Sequence, residues 1–293
     1  MRNFSLYLFL APAVILTIIF KYVPMYGSII AFKDFSPMKG ILGSNWVGFE
    51  HFIRFLSSPN FYEIFMNTLK LSFYGLILGF PVPIILALML NQVRRKSIKK
   101  NMQLILYAPN FISVVVITGM LFIFLSPNGA VNSILGFFMN KPISFMTEPE
   151  YFMSVYIISG IWQGAGWASI IYIAALANVD PSLHEAATID GASLLRRIWH
   201  IDLPALKPVM AVLFILAAGG IMAIGFEKAY LMQTTMNITA SEIIPTYVYK
   251  IGLQAGDYAY STAIGLFNSV INVIMLVIVN VIVKRLNEGE GLY

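Results

Sequence analysis

The sequence predicts an all-α membrane protein with six transmembrane helices. Three observations carry that expectation: an apolar composition, six segments long enough to cross a bilayer, and basic residues gathered in alternate connections. Of 293 residues, 58% are hydrophobic and only 11% charged, against about 25% charged in ordinary soluble domains. So few charges cannot furnish a water-facing surface for a chain this long. The 0 cysteines exclude disulfides, thiolate metal sites and cysteine nucleophiles.

A helix crossing about 30 Å of hydrocarbon needs about 20 mostly apolar residues. Segments 5–31, 68–91, 103–125, 152–178, 207–226 and 262–283 qualify. Arg2 precedes the first, as in a signal peptide, but the apolar stretch runs well past Lys21, so it reads as an uncleaved span. Lys21, Pro24 and Gly27 predict a kink or an early exit from the membrane. Pro81 and Pro83 remove two backbone donors and predict a bend in the second span. The fifth span is short.

Orientation follows from the basic residues. Arg2, Arg94, Arg95, Lys96, Lys99, Lys100, Arg196, Arg197, Lys207, Lys284 and Arg285 fall at the two termini and in the connections after spans two and four. The other connections are longer and hold only Lys33, Lys39, Arg54, Lys141, Lys228 and Lys250. The richer side is expected to be cytoplasmic, which puts both termini inside. No soluble domain, low-complexity segment or short tandem repeat interrupts 1–293, which reads as a single transmembrane domain.

Several chemistries have no residues to support them. The 14 carboxylates are expected in loops or at span ends, and His51, His184 and His200 in loops. A proton-driven carrier usually places an ionisable group near mid-membrane, although sodium sites can be built from carbonyls and hydroxyls. His-Glu-x-x-His and Gly-x-Ser-x-Gly are missing. The one Lys-Ser pair, Lys96-Ser97, has no glycine-rich loop before it to cradle a phosphate. No catalytic residue, metal site or nucleic-acid surface is expected. If ATP powers the protein, a partner must bind it.

Residues 179–208 form the informative connection. Asp180-Pro181 is an N-cap followed by proline at the first helical position. A helix from Pro181 to about Ile189 should end at Asp190-Gly191. A second should run from Ala192 to about Ile201, before Pro204. Leu183, Ala187, Gly191, Leu194 and Ile198 share one side. The small residues Ala186, Ala187, Gly191 and Ala192 keep the turn slim enough for another backbone to approach. On generic grounds this is either a docking knob or an interfacial linker.

The specific string is Glu185-Ala186-Ala187, then Asp190-Gly191-Ala192, then Ile201-x-Leu203-Pro204. It resembles the EAA loop of binding-protein-dependent ABC importer permeases. Ile198 departs from it, since many relatives carry an aromatic there, and Trp199 stands beside it. Further strings resemble the maltose-type (type I) permeases that serve complex-carbohydrate oligosaccharides. They are Tyr22-Val23-Pro24-Met25-Tyr26-Gly27, Ala31-Phe32-Lys33-Asp34-Phe35, Trp46-Val47-Gly48-Phe49, Gly160-Ile161-Trp162-Gln163 and Thr246-Tyr247-Val248-Tyr249.

The resemblance implies a type I ABC importer permease fold in the cytoplasmic membrane of a prokaryote. It implies four partners besides lipid: a second homologous permease, two cytosolic ATPase subunits that bind ATP and Mg, and an extracytoplasmic solute-binding protein. The chain itself would bind no cofactor. Glu185, Ala186, Ala187, Asp190, Gly191, Ala192, Leu203 and Pro204 would couple it to the ATPase. The alternative function is a self-contained ion-coupled secondary carrier or channel.

Sugars are held by aromatic faces and neutral hydrogen-bonding groups. Trp162, Gln163, Trp167, Asn178, Asn268 and Asn272 supply these in spans four and six. Buried amides must be satisfied, and Asn268 and Asn272 share a helix face, so helix-to-helix hydrogen bonding competes with sugar contact. Outer aromatics Trp46, Phe49, Phe52, Phe55, Phe61 and Tyr62 suit either an interfacial belt or a binding-protein contact.

Overall fold

The computed structural model describes residues 4–139, 141–222 and 225–286. Arg2, Glu288 and Glu290 lie outside them. Among the described residues five helices are long and apolar enough to cross a membrane: Tyr7–Phe32, Phe61–Asn91, Pro149–Leu176, Leu194–Gly219 and Tyr258–Arg285. A sixth span comes from a bent pair, Lys96–Phe111 and Val114–Phe124. Apolar side chains such as Phe9, Ile123 and Val273 are exposed, as a hydrocarbon solvent requires.

Three expectations need correction. The third span is not straight: its halves meet at 97°. Pro109 removes an N–H and disfavours helix at Ala108, and Ser113 then caps the second half by accepting from Val116 N–H at 3.3 Å. The coupling loop's second helix does not stop before Pro204. It starts at Leu194 and continues through a widened π turn, Ile198–Asp202, into Leu203–Gly219. In that turn Leu203 N–H bonds Ile198 O, and Pro204 enters the first turn of the next segment, where its missing donor costs nothing. The fifth span ends at Gly219, not near 226, because Gly219-Gly220 breaks the helix. Asp202 is therefore inside a helix and not in a loop.

The expected bend in span two is mild in its bonding. Gly79 ends one helical segment and Pro81 starts the next, yet Phe80 N–H still bonds Leu76 O at 2.9 Å. In span one, a π turn over Ile18–Tyr22 precedes Pro24, and a tighter 3-10 turn covers Tyr26–Phe32.

The chain divides into two compact units, both discontinuous in sequence. The first comprises Met1–Tyr62 and Ile244–Val270. Its two-residue antiparallel ladder pairs Lys33 with Trp46, the small exception to an otherwise helical fold. At its centre the Phe55 ring meets Phe61 at 5.0 Å and Phe267 at 5.6 Å. Phe55 is thus core, whereas Trp46, Phe49 and Tyr62 are exposed. Arg54 binds Asp257 at 2.8 Å and stacks 4.0 Å from the centre of the Tyr260 ring.

The second unit comprises Glu63–Ile243 and Ile271–Tyr293. One apolar cluster joins Leu71, Phe152, Ile157, Met232 and Ile243, and another joins Ile84, Ala87, Tyr172, Leu176 and Leu206. Pro149–Leu176 is the central helix, packed along Pro81–Asn91. A side chain at Gly166 would run into the Leu106 carbonyl, so only glycine permits this approach to Lys96–Tyr107.

Candidate functional site

The coupling loop folds as its local chemistry dictates. Asp180 Oδ1 accepts from Ser182 N–H at 2.9 Å and caps Pro181–Ile189. That bond stabilises the charged carboxylate and lowers the Asp180 pKa. The helix ends in two interlocked bonds, Ala192 N–H to Ala187 O at 2.9 Å and Gly191 N–H to Thr188 O at 3.1 Å. This is a Schellman cap, and it requires the left-handed φ of +74° found at Gly191. Ser193 opens the next helix by accepting from Arg196 N–H.

One contact braces the loop internally and a second group of contacts holds it to the spans. Arg197 Nη1 donates to Thr188 Oγ1 at 2.7 Å and ties the two loop helices together. His184 Nε2 lies 3.2 Å from Asp202 Oδ1, and Gln92 Nε2 donates to Asp202 Oδ2 at 3.0 Å. Asp202 is 0% exposed, so one carboxylate joins the coupling helix, the end of span two and the foot of span five. None of these contacts was expected from the sequence. Arg197, counted among the basic residues of this side, is engaged within the loop.

The outer face of the loop presents Glu185, Ala186, Asp190 and Gly191, all exposed, with Ala187 and Ala192 half-buried. Leu183, Ile189, Leu195 and Trp199 are exposed beside them. The expected apolar stripe is not buried: Leu183, Gly191 and Leu194 are exposed, and Ala187 and Ile198 half-buried. Exposed apolar side chains gathered on one short loop with an acidic residue are the kind of surface that protein contacts use. Leu203 and Pro204 stand apart from this knob, within the helix that leads to span five.

The sugar-handling candidates separate into two kinds. Gln163 Nε2 donates to Ile112 O at 3.1 Å, satisfying a carbonyl freed by the break in span three. Asn272 Oδ1 accepts from Met222 N–H at 2.8 Å, just past the end of span five. Both amides therefore complete interrupted backbone. Asn178 lies beyond the end of its helix and donates to Ala174 O. Trp162 and Trp167 are about half exposed, 50% and 48%, and Trp167 meets Phe111 edge to face at 5.4 Å. Asn268 is half-buried on Tyr258–Leu286.

Sequence reasoning missed Lys228. It was counted as a loop cation, yet it is only 8% exposed on the short helix Phe226–Met232. Its Nζ donates to Tyr156 O at 2.8 Å and lies 4.8 Å from the Tyr156 ring centre. Burial lowers its pKa to about 8.

A set of interrupted spans with an exposed, capped helical knob fits the transmembrane subunit of a multi-component transporter. Residues 79–288 match the family described as binding-protein-dependent transport system inner membrane component, and the chain belongs to it. The chain is 45% identical over 289 residues to a polygalacturonan/rhamnogalacturonan transport system permease protein of Bacillus subtilis (strain 168), covering 98% of this chain and 90% of the relative. Two solved structures share the fold. One, a bacterial ABC transporter involved in the import of the acidic polysaccharide alginate, gives a TM-score of 0.88 at 40% identity, covering 97% of this chain and 96% of that one. The other, a bacterial alginate ABC transporter in complex with an alginate pentasaccharide-bound periplasmic protein, gives 0.90 at 38%, covering 99% and 97%. The type I ABC importer permease fold is thus established, and the secondary-carrier alternative falls with it. The chain is a multi-pass membrane permease subunit of an ABC transporter.

Proposed function

We propose that this chain is one of two transmembrane subunits of an importer that moves an oligosaccharide inward across the cytoplasmic membrane by alternating access. The observation that carries this reading is the capped, exposed Pro181–Ile189 knob, tied through Asp202 to two spans, in a chain of this family. Sugar as cargo is supported by the carbohydrate transport named for relatives at 45% and 40% identity.

In this reading two ATPase subunits bind ATP and Mg and grip the knob, with Glu185, Ala186, Ala187, Asp190, Gly191 and Ala192 at the contact. Leu203 and Pro204 pass the motion into span five. Closure of the ATPase pair opens the cavity outward, where an extracytoplasmic binding protein delivers the sugar, and hydrolysis resets it. The chain catalyses no covalent step and holds no cofactor. Its basic-rich connections face the cytoplasm with both termini. Trp162 and Trp167 offer ring faces to sugar, Asn268 is a separate amide candidate, and Gln163 and Asn272 keep interrupted helices in shape.

Purification of the complex in detergent through a tag on this chain tests the reading. A second permease and an ATPase should co-purify, and vesicles carrying the complex should take up oligosaccharide only with ATP and binding protein. A chain that purifies alone would sink it.

A further inference from the structure

An ammonium removed from water is costly unless charge or hydrogen-bond partners replace the solvent. Lys228 meets only part of that need. One of its three donors goes to Tyr156 O, and the Tyr156 ring supplies a cation–π face. No carboxylate pairs with it among the described residues, where its polar contacts are the Tyr156 carbonyl and ring.

The ammonium is held against two residues, Tyr156 and Gly160, that line a cavity. It lies over Gly160, where an added Cβ would stand 3.2 Å from Nζ. Gly160 lines a cavity of about 330 Å³ whose wall includes Tyr156, Gly75, Gly79, Gly164 and Pro83. That volume falls within the ~300–1,000 Å³ of typical small-molecule sites. Glycines on two helices leave the wall shallow and apolar, suited to the C–H face of a sugar ring. Tyr156 adds an aromatic face, and the Lys228 ammonium, in contact with Tyr156 and Gly160, brings a positive charge with no paired carboxylate next to the wall.

We propose that this cavity is a subsite for an acidic sugar, with Lys228 binding the carboxylate of a uronate residue while the glycine wall receives its ring. The proposal rests on the importer reading and deepens it, from oligosaccharide to oligouronate. Phe226–Met232 follows span five on the side assigned to the exterior, so the cation would meet the sugar early in its passage. A uronate carboxylate would supply the counter-charge that the protein withholds.

Vesicles carrying the complete transporter test this with two probes, tri-galacturonate and its neutral methyl ester, on wild type, Lys228→Met and Lys228→Arg. Lys228→Met should raise KM for the acid about tenfold, and leave uptake of the ester within about twofold. Lys228→Arg should keep most of the acid uptake. Melting of the purified complex separates binding from architecture. Removal of a buried, unpaired charge should leave the melting temperature unchanged or raise it. A lowered melting temperature in Lys228→Met would mark the lysine as a structural clamp on the Tyr156 carbonyl and overturn the proposal. Equal losses on both probes, or an unchanged KM for the acid, would overturn it too. Those failures leave wild-type uptake intact, whereas wild type that moves neither probe with ATP overturns the importer reading and the subsite together.

Discussion

His184 and Asp202 lie 18 positions apart in sequence and 3.2 Å apart in space, Nε2 to Oδ1, which fastens the coupling helix to the foot of span five. The Asp202 carboxylate is fully buried, and Gln92 is its other partner. Oδ1 accepts no hydrogen bond among the described residues, so removing the nearby imidazole leaves a buried carboxylate oxygen still less compensated, at a cost of about 1–3 kcal/mol. His184→Ala should therefore lower the melting temperature of the complex and reduce transport per ATP hydrolysed. The ratio of uptake to phosphate release measures this, and a normal ratio would show that the link carries no motion.

Glu185→Lys reverses the charge at the centre of the exposed knob. A like-charge clash across a protein interface costs several kcal/mol, so ATPase recovered with the tagged chain should fall at least about tenfold. The second permease should be recovered as before. Loss of both partners would point to misfolding.

Gly191→Val places a β-branched residue at φ +74°, a strain of about 1–2 kcal/mol. Nothing crowds the position, so the effect should come from the backbone alone. The Schellman cap should open while membrane abundance stays normal, and substrate-stimulated ATPase activity should drop. Gly191→Asn, which tolerates this conformation better, should retain more activity.

Gln163→Leu withdraws the donor from the Ile112 carbonyl at the bend in span three. The expected effect is a loss of about 1–3 kcal/mol in stability with little change in KM for sugar. A raised KM at unchanged stability would instead make Gln163 a sugar contact.

Local chemistry made much of this architecture readable. Asp180-Pro181 and Gly191 act on their own neighbours, so a helix from Pro181 to about Ile189 was legible, and it runs Pro181–Ile189. The break at Ile112 also had a local cause in Pro109, but a continuous apolar run outweighed it. Pro204 was taken as a stop because a π turn, which accommodates the ring without ending the helix, leaves no plain mark in sequence. Burial at Lys228 and Asp202 depends on helices brought from 72 and 110 positions away, to Tyr156 and Gln92. No pattern within a single segment reports such encounters. The Gln163 and Asn272 amides are alike in this: their partners exist only because other spans are broken.

The unbroken run Leu194–Gly219 spans 26 residues, or about 39 Å at 1.5 Å per residue. Its lower end belongs to the docking knob and its upper end to the Gly219-Gly220 break. The π turn keeps the backbone continuous past Pro204, and with Pro208 inside the helix any flexing of the rod falls in this stretch. As one continuous rod it is built as a crankshaft: a rotation imposed at Leu194 has a single helical path to Gly219, and the two glycines are where that path ends.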